Sequence, residues 1–206
     1  TYNSKTYEYT HGYGLIFVSA TDSTNDGTIK YLQNDLTGTG NEIANVAEPR
    51  IYYGLETNTT VVTNAKDKKE FDYSDEQEDY ETNYRGEAGL KLSFIDRLIL
   101  GLKEKNVNLA FSGSVTSDSK VLINRNIIKR ARLALPDVMY DNDPYTVLDE
   151  NGNMYWVIDA YTVSSSYPYS TYTEIEYNGQ KREINYIRNS IKVLINSYTG
   201  EMKYYI

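Results

Sequence analysis

The single histidine of the chain, His11, lies in Tyr9-Thr10-His11-Gly12-Tyr13-Gly14, a glycine-flexed turn that feeds the apolar run Leu15-Ile16-Phe17-Val18. A histidine binds metal when oxygen donors fold up to it, and is otherwise a hydrogen-bonded structural residue. The chain has no cysteine, so its partners would be carboxylates. The densest supply runs from Glu70 to Glu81, with seven carboxylates and no basic residue. Asp72, Asp75, Glu76, Glu78 and Asp79 are the oxygen ligands that a hard cation such as calcium would take there. Their spacing departs from an EF-hand loop and no glycine supplies the tight turn, so a solvated loop within residues 66–89 is the plainer expectation. Hydrolysis needs two carboxylates flanking a cleft, for which Asp143 with Asp159, or a metal on His11 and Asp72, are the available sets. In their ordinary roles Asp143 shapes a turn before Pro144 and Asp159 bonds neighbouring backbone at a strand end.

Tyrosine is the other unusual resource, at 22 residues against 4 phenylalanines. Most of the aromatic bulk of the core must therefore be tyrosine, with its hydroxyls hydrogen-bonded inside or at the boundary. An alternative use is a groove for cell-wall glycan or peptide around Tyr161, Tyr167, Tyr169 and Tyr172. A pocket between the His11 turn, Arg50 and the Gly86–Gly89 joint is also expected, because glycine permits close backbone approach there. The balance of 21 basic and 29 acidic residues, −8 net, disfavours nucleic acid. Without cysteine, disulfides, thiolate nucleophiles and cysteine zinc sites are excluded, and no cofactor other than calcium is expected. The longest dense apolar run, Leu98 to Leu102, is far short of a membrane-spanning helix.

The elements that must position these residues are mostly strands. Tyr145 to Asp149 and Met154 to Val163 flank the turn Glu150-Asn151-Gly152-Asn153, and Met154, Trp156, Ile158 and Ala160 share the face best suited to the centre of the core. Asn178-Gly179 and Thr199-Gly200 mark two further hairpins. Ser93 and Asp96 form a capping box for a helix whose stripe Phe94, Ile95, Leu98, Ile99, Leu102 is expected to pack on the sheet. A second helix is expected from a cap at Asp118 or Ser119 to Leu135, stopped by Pro136, and a short one near residues 28–36. The five basic residues from Lys120 to Arg132 would suit docking against the acidic block. The sum is an α+β fold, mainly antiparallel sheet built from hairpins with two principal helices packed on it, in a single domain of 206 residues.

Tyr9-Thr10-His11-Gly12-Tyr13-Gly14, Pro49-Arg50-Ile51-Tyr52-Tyr53-Gly54, Glu70-Phe71-Asp72-Tyr73, Asn124-Arg125-Asn126-Ile127, Asp143-Pro144-Tyr145, Tyr155 to Thr162, Tyr167-Pro168-Tyr169-Ser170 and Asn185 to Val193 follow one another in an order that resembles Uncharacterised Protein Family 0182. These are large bacterial membrane proteins with N-terminal transmembrane helices and a large extracytoplasmic region. Ser74 stands where a proline is expected after Glu70-Phe71-Asp72-Tyr73. The chain starts without Met or a signal-peptide pattern and reads as a segment of something longer. The resemblance implies a non-catalytic extracytoplasmic domain at the cell membrane, with an interaction or scaffold role in the cell envelope. Its partners would be its own transmembrane region, another envelope protein, the cell wall or a second copy. A glycan- or peptide-binding module and a carboxylate- or metal-dependent hydrolase are the alternatives.

Overall fold

In the computed structural model, residues 4–35, 39–40, 44–74, 77–104 and 107–206 are described, and they form an α+β fold of antiparallel hairpins with few helices. A short π-helix (Ser4–Glu8) precedes β1 (Gly12–Tyr13), β2 (Ile16–Ser23), β3 (Ile29–Asn34) and β4 (Thr39–Gly40). Next come β5 (Arg50–Ile51), β6 (Val61–Thr63), β7 (Glu70–Ser74) and β8 (Asp79–Thr82). The helices α1 (Phe94–Lys103) and α2 (Val107–Phe111) lead into β9 (Lys120–Leu122) and α3 (Ile127–Ala134). The rest is sheet: β10 (Met139–Tyr140), β11 (Tyr145–Leu148), β12 (Met154–Ser164), β13 (Thr173–Tyr177), β14 (Gln180–Ile184), β15 (Tyr186–Asn196) and β16 (Met202–Tyr205).

The main sheet is ordered β10-β12-β15-β16, with β11 also paired to β12. Ile158 faces Val193 and Ala160 faces Ile191 across β12 and β15, and all four are buried. Met154 is buried at the start of the same face, while the half-buried Trp156 donates its indole N–H to Tyr53 O at 2.9 Å. The hairpin turns behave as their residue types require. Asn178 and Gly179 both take positive φ, 54° and 72°, as a two-residue turn that follows the twist of its strands demands.

A two-stranded ladder divides the interior. β6 and β9 pair Val61 with Leu122 and Val62 with Val121, and side chains alternate along each strand. Val61 and Leu122 therefore enter the larger core with Tyr52, Tyr53, Ile127, Ala131, Ile158 and Val193. Val62 and Val121 enter a smaller one with Tyr7, Leu100, Leu109 and Val115. Both faces are apolar because both are buried.

Five expectations are corrected here. The second helix is confined to Ile127–Ala134, capped by Asn126, whose Oδ1 accepts from Lys129 N at 3.0 Å. Ser119 instead donates to Asn64 O at 2.9 Å, and residues 120–122 are drawn into β9 because Val121 and Leu122 serve opposite cores. Residues 29–34 form β3 rather than a helix, pairing with β2 and β4. Within the acidic stretch, residues 70–74 and 79–81 lie in the paired strands β7 and β8, with Glu70 and Asp72 buried, rather than in a solvated loop. The stripe on α1 does not pack on the sheet: Phe94, Ile95, Ile99 and Leu102 are 58–73% exposed. Among the described residues the basic side chains meet other partners rather than the acidic segment: Lys120 reaches Gly86 O, Lys129 reaches Asn58, Arg130 reaches Gly200 O, Arg132 reaches Asn142, and the buried Arg125 reaches backbone carbonyls.

Gly152, at φ +78°, lies where an added Cβ would fall 2.5 Å from Asn45 O and 2.9 Å from Ala47 N. Gly179, at φ +72°, has open space. Gly152→Ala should lose about 2–4 kcal/mol in urea unfolding, from backbone strain plus overlap. Gly179→Ala should lose about 1 kcal/mol, from the backbone alone. Equal losses would contradict this packing of the hairpin turn.

Candidate functional site

Strand β7 inverts the usual polarity of a strand. Glu70 and Asp72 point inward and are buried, whereas Phe71 and Tyr73 are half-exposed. Their rings meet Tyr9 at 5.4 Å, Tyr13 at 4.8 Å and Tyr80 at 4.5 Å. The pairing of β1 with β5 sets Tyr13 opposite Arg50 and Gly12 opposite Ile51, which brings the His11 turn alongside Arg50 and Tyr52. Six residues from three segments thus converge: Thr10, His11, Arg50, Tyr52, Glu70 and Asp72.

The His11 side chain has no solvent exposure. Its Nε2 lies 3.2 Å from Asp72 Oδ1, and its Nδ1 lies 2.8 Å from Thr10 Oγ1 and 3.7 Å from Glu70 Oε2. The ring rests on Tyr52 with centroids 4.7 Å apart. Arg50 forks onto Asp72, Nε donating to Oδ1 at 2.9 Å and Nη2 to Oδ2 at 2.6 Å, while Nη1 donates to Glu48 at 3.0 Å. Burial alone would lower the Arg50 value, but these two carboxylates outweigh it and hold the guanidinium above its usual range.

Glu70, 1% exposed, is the acceptor at the centre. Its Oε2 accepts from the hydroxyls of Thr10 and of Tyr52, the latter at 2.7 Å. Its Oε1 accepts from Tyr84 N at 3.1 Å and Asn64 N at 3.4 Å. Burial pushes the Glu70 carboxyl up, yet interactions with His11, Thr10 and Tyr52 outweigh it and keep the carboxyl below its ordinary value. Conversely burial, reinforced by the Glu70 charge, pushes the Tyr52 phenol well above its ordinary range.

Arg125 closes the cluster from behind. It is 4% exposed and donates to three backbone carbonyls: Tyr52 O at 2.7 Å, Thr59 O at 3.1 Å and Thr10 O. Burial pushes its guanidinium down to about 10, opposed by the nearby Tyr53, Tyr52 and Glu70.

The structure therefore brings together His11, Arg50 and Asp72, but leaves them bound to one another. Tyr52, Tyr84 and Tyr198 pack together beside His11, with ring centroids 4.6–5.4 Å apart. Gly86 packs against the Tyr84 ring rather than opening a pocket. Asp79 accepts from Ser74, Glu78 is exposed, and Asp75 and Glu76 lie outside the described residues. Among the described residues, no three His, Asp or Glu side chains are arranged to hold a cation.

The remaining expected residues are dispersed. Tyr161 donates to Asp141 at 3.2 Å, Tyr167 stacks on Tyr186 at 4.8 Å, and Tyr169 is fully exposed with φ 62°. Asp159 pairs with Lys192 on the neighbouring strand. Asp143 stays at its turn, its N–H donating to Asp141 at 3.1 Å. Sequence reasoning missed Glu70 and Arg125 as buried members. The available signal was the alternation of acid and aromatic in Glu70-Phe71-Asp72-Tyr73.

A family model of the Uncharacterised protein family (UPF0182) matches residues 1–206. The chain belongs to this family. UPF0182 proteins of Clostridium botulinum (strain Hall), Clostridium novyi and Caldicellulosiruptor saccharolyticus are each 40% identical to it, over 206, 207 and 207 residues. Each match covers all of this chain and 22% of the relative, so the chain spans about a fifth of the length of these curated UPF0182 proteins. No solved structure matches it.

Glu70 sets a pH dependence with a definite sign. Because its folded value is below the ordinary 4.5, its contribution is present above that pH and is lost as pH falls through the folded value. Glu70→Gln should flatten the acid limb of the thermal-unfolding midpoint below about pH 4.5. Glu70→Ala, which strands several buried donors, should cost about 3–5 kcal/mol at neutral pH. An unchanged acid limb in the Gln variant would overturn the assignment.

Proposed function

We propose that these residues form a non-catalytic extracytoplasmic domain of a bacterial integral membrane protein, with an interaction or scaffold role in the cell envelope. The observation that carries this reading is the outward apolar face of α1. Phe94, Ile95, Leu98, Ile99 and Leu102 lie on one side of the helix, and all but the half-buried Leu98 are more than half exposed. The opposite side meets the protein: Leu100 and Gly101 are buried, and Arg97 donates to Val115 O at 2.8 Å. An apolar helix face turned to water marks an interaction surface. The occupant proposed for it is a segment of the same full-length protein outside these residues, since the curated relatives are several times longer. No helix among the described residues is long and apolar enough to cross a membrane, so the anchoring part would also lie in that remainder. The cluster around His11 supports a non-catalytic role because its acids, base and cations are engaged with one another.

A second reading, a binding module for cell-wall glycan or peptide, is favoured by Tyr167, Tyr169 and Tyr172, which are 53%, 109% and 58% exposed. Stacking of a sugar ring on these side chains is its physical basis.

In the isolated chain, Ile99→Ser and Leu102→Ser should change unfolding free energy by no more than about 0.5 kcal/mol, because neither side chain is packed. A photo-cross-linker at position 99 of the full-length protein should join α1 to another part of the same polypeptide. Large destabilisation of the isolated chain, or no intramolecular cross-link, would defeat this reading. A raised melting midpoint with soluble cell-wall fragments, lost in Tyr167→Ala, would favour the binding module instead.

A further inference from the structure

The exposed face of α1 borders a groove of about 360 Å³ that lies between the helix and the segment leading into it. Its floor is Leu92 and Leu100, which pack into the smaller core, and its walls are Leu90 and Ile99, 46% and 60% exposed. Leu90 is fixed there by β9, exchanging backbone hydrogen bonds with Val121 at 2.9 and 3.0 Å. An apolar groove on a fixed backbone takes an apolar side chain from whatever covers the helix.

The charges at its rim are unequal. Lys91 and Lys103 line the groove from exposed positions, and neither forms an ion pair or a side-chain hydrogen bond among the described residues. Asp96 is the one carboxylate in the lining, and it is committed to the helix cap, its Oδ2 accepting from Ser93 N at 3.0 Å and from Ser93 Oγ at 2.7 Å. Two uncommitted ammoniums beside an apolar groove, on a chain of −8 net charge, favour an acidic occupant. Resting on the proposal that another part of the same polypeptide covers α1, we infer that this covering segment is acidic as well as apolar: it seats an apolar side chain in the groove and brings carboxylates to Lys91 and Lys103. A second copy docked through the same face would set lysine against lysine, and a basic segment would do the same.

Photo-cross-linking from position 99 of the full-length protein, with mass spectrometry of the joined peptide, tests this. The joined segment should carry Asp or Glu within about four residues of its cross-linked apolar side chain. Lys91→Glu combined with Lys103→Glu should lower the cross-link yield about fivefold or more, whereas the same reversal on β14, Lys181→Glu with Arg182→Glu, should leave it unchanged. Both groove lysines are exposed, so their reversal should keep the melting midpoint of the 206-residue chain within about 3 °C. Replacing the acids of the joined segment by lysine should restore the yield in the reversed variant. A joined segment without acids, or a yield that the Lys91 and Lys103 reversal leaves intact, overturns the inference while leaving α1 an internal interface. No intramolecular cross-link in the unaltered protein, or a cross-link to a second copy in its place, overturns both the inference and the proposal beneath it.

Discussion

A carboxylate shut away from water must have its charge answered by donors inside the protein, and Glu70 meets that requirement by gathering four chain segments. Thr10, Tyr52, Asn64 and Tyr84 all donate to it. Arg125 ties two of the same segments together through the carbonyls of Thr10 and Tyr52. This matters because the ladders in that half are short: β1, β5 and the β6–β9 pair offer two or three residues each. Side-chain hydrogen bonds there take over the work that long ladders do in the other half.

That other half is held by apolar burial. β12 and β15 each run for 11 residues, and their inward positions are Met154, Ile158, Ala160, Ile191, Val193 and Ile195. The two halves meet at Tyr53, whose carbonyl receives the Trp156 indole and whose ring lies under Arg130 at 5.0 Å. Buried tyrosines suit such a junction because the ring fills apolar space while the hydroxyl meets a polar neighbour. Tyr140 shows this plainly, donating to Ala131 O and Leu135 O at the end of α3.

The contrast explains what could be read from the sequence. The C-terminal hairpins announce themselves through Asn178-Gly179, Gly152 and Gly200, and through alternation of apolar residues, so the main sheet and its core face were legible. β7 was not, because its inward residues are acids and its half-exposed ones aromatic, the reverse of the pattern that marks a strand. β9 was hidden in a helix-like run, since burial on both faces removes alternation. The stripe on α1 was legible as a helix but misled as to direction, because an apolar stripe turned to solvent has the same pattern as one turned to the core. His11 was paired with Arg50 and with Asp72 in the sequence, and the fold places the three side chains in contact; that they satisfy one another depends on Glu70 and Arg125, whose burial no local pattern announces.

The account rests on the cluster around Glu70 being a closed structural brace rather than an open reactive site. Hydrogen exchange at the Tyr84 amide, which donates to Glu70 Oε1, tests this directly. A closed brace requires this amide to exchange only through global unfolding, with the same opening free energy as the Ile158 and Val193 amides of the main sheet. Exchange at the rate of an exposed loop would show Glu70 opening to solvent on its own, and would return His11 and its carboxylates to consideration as a working site.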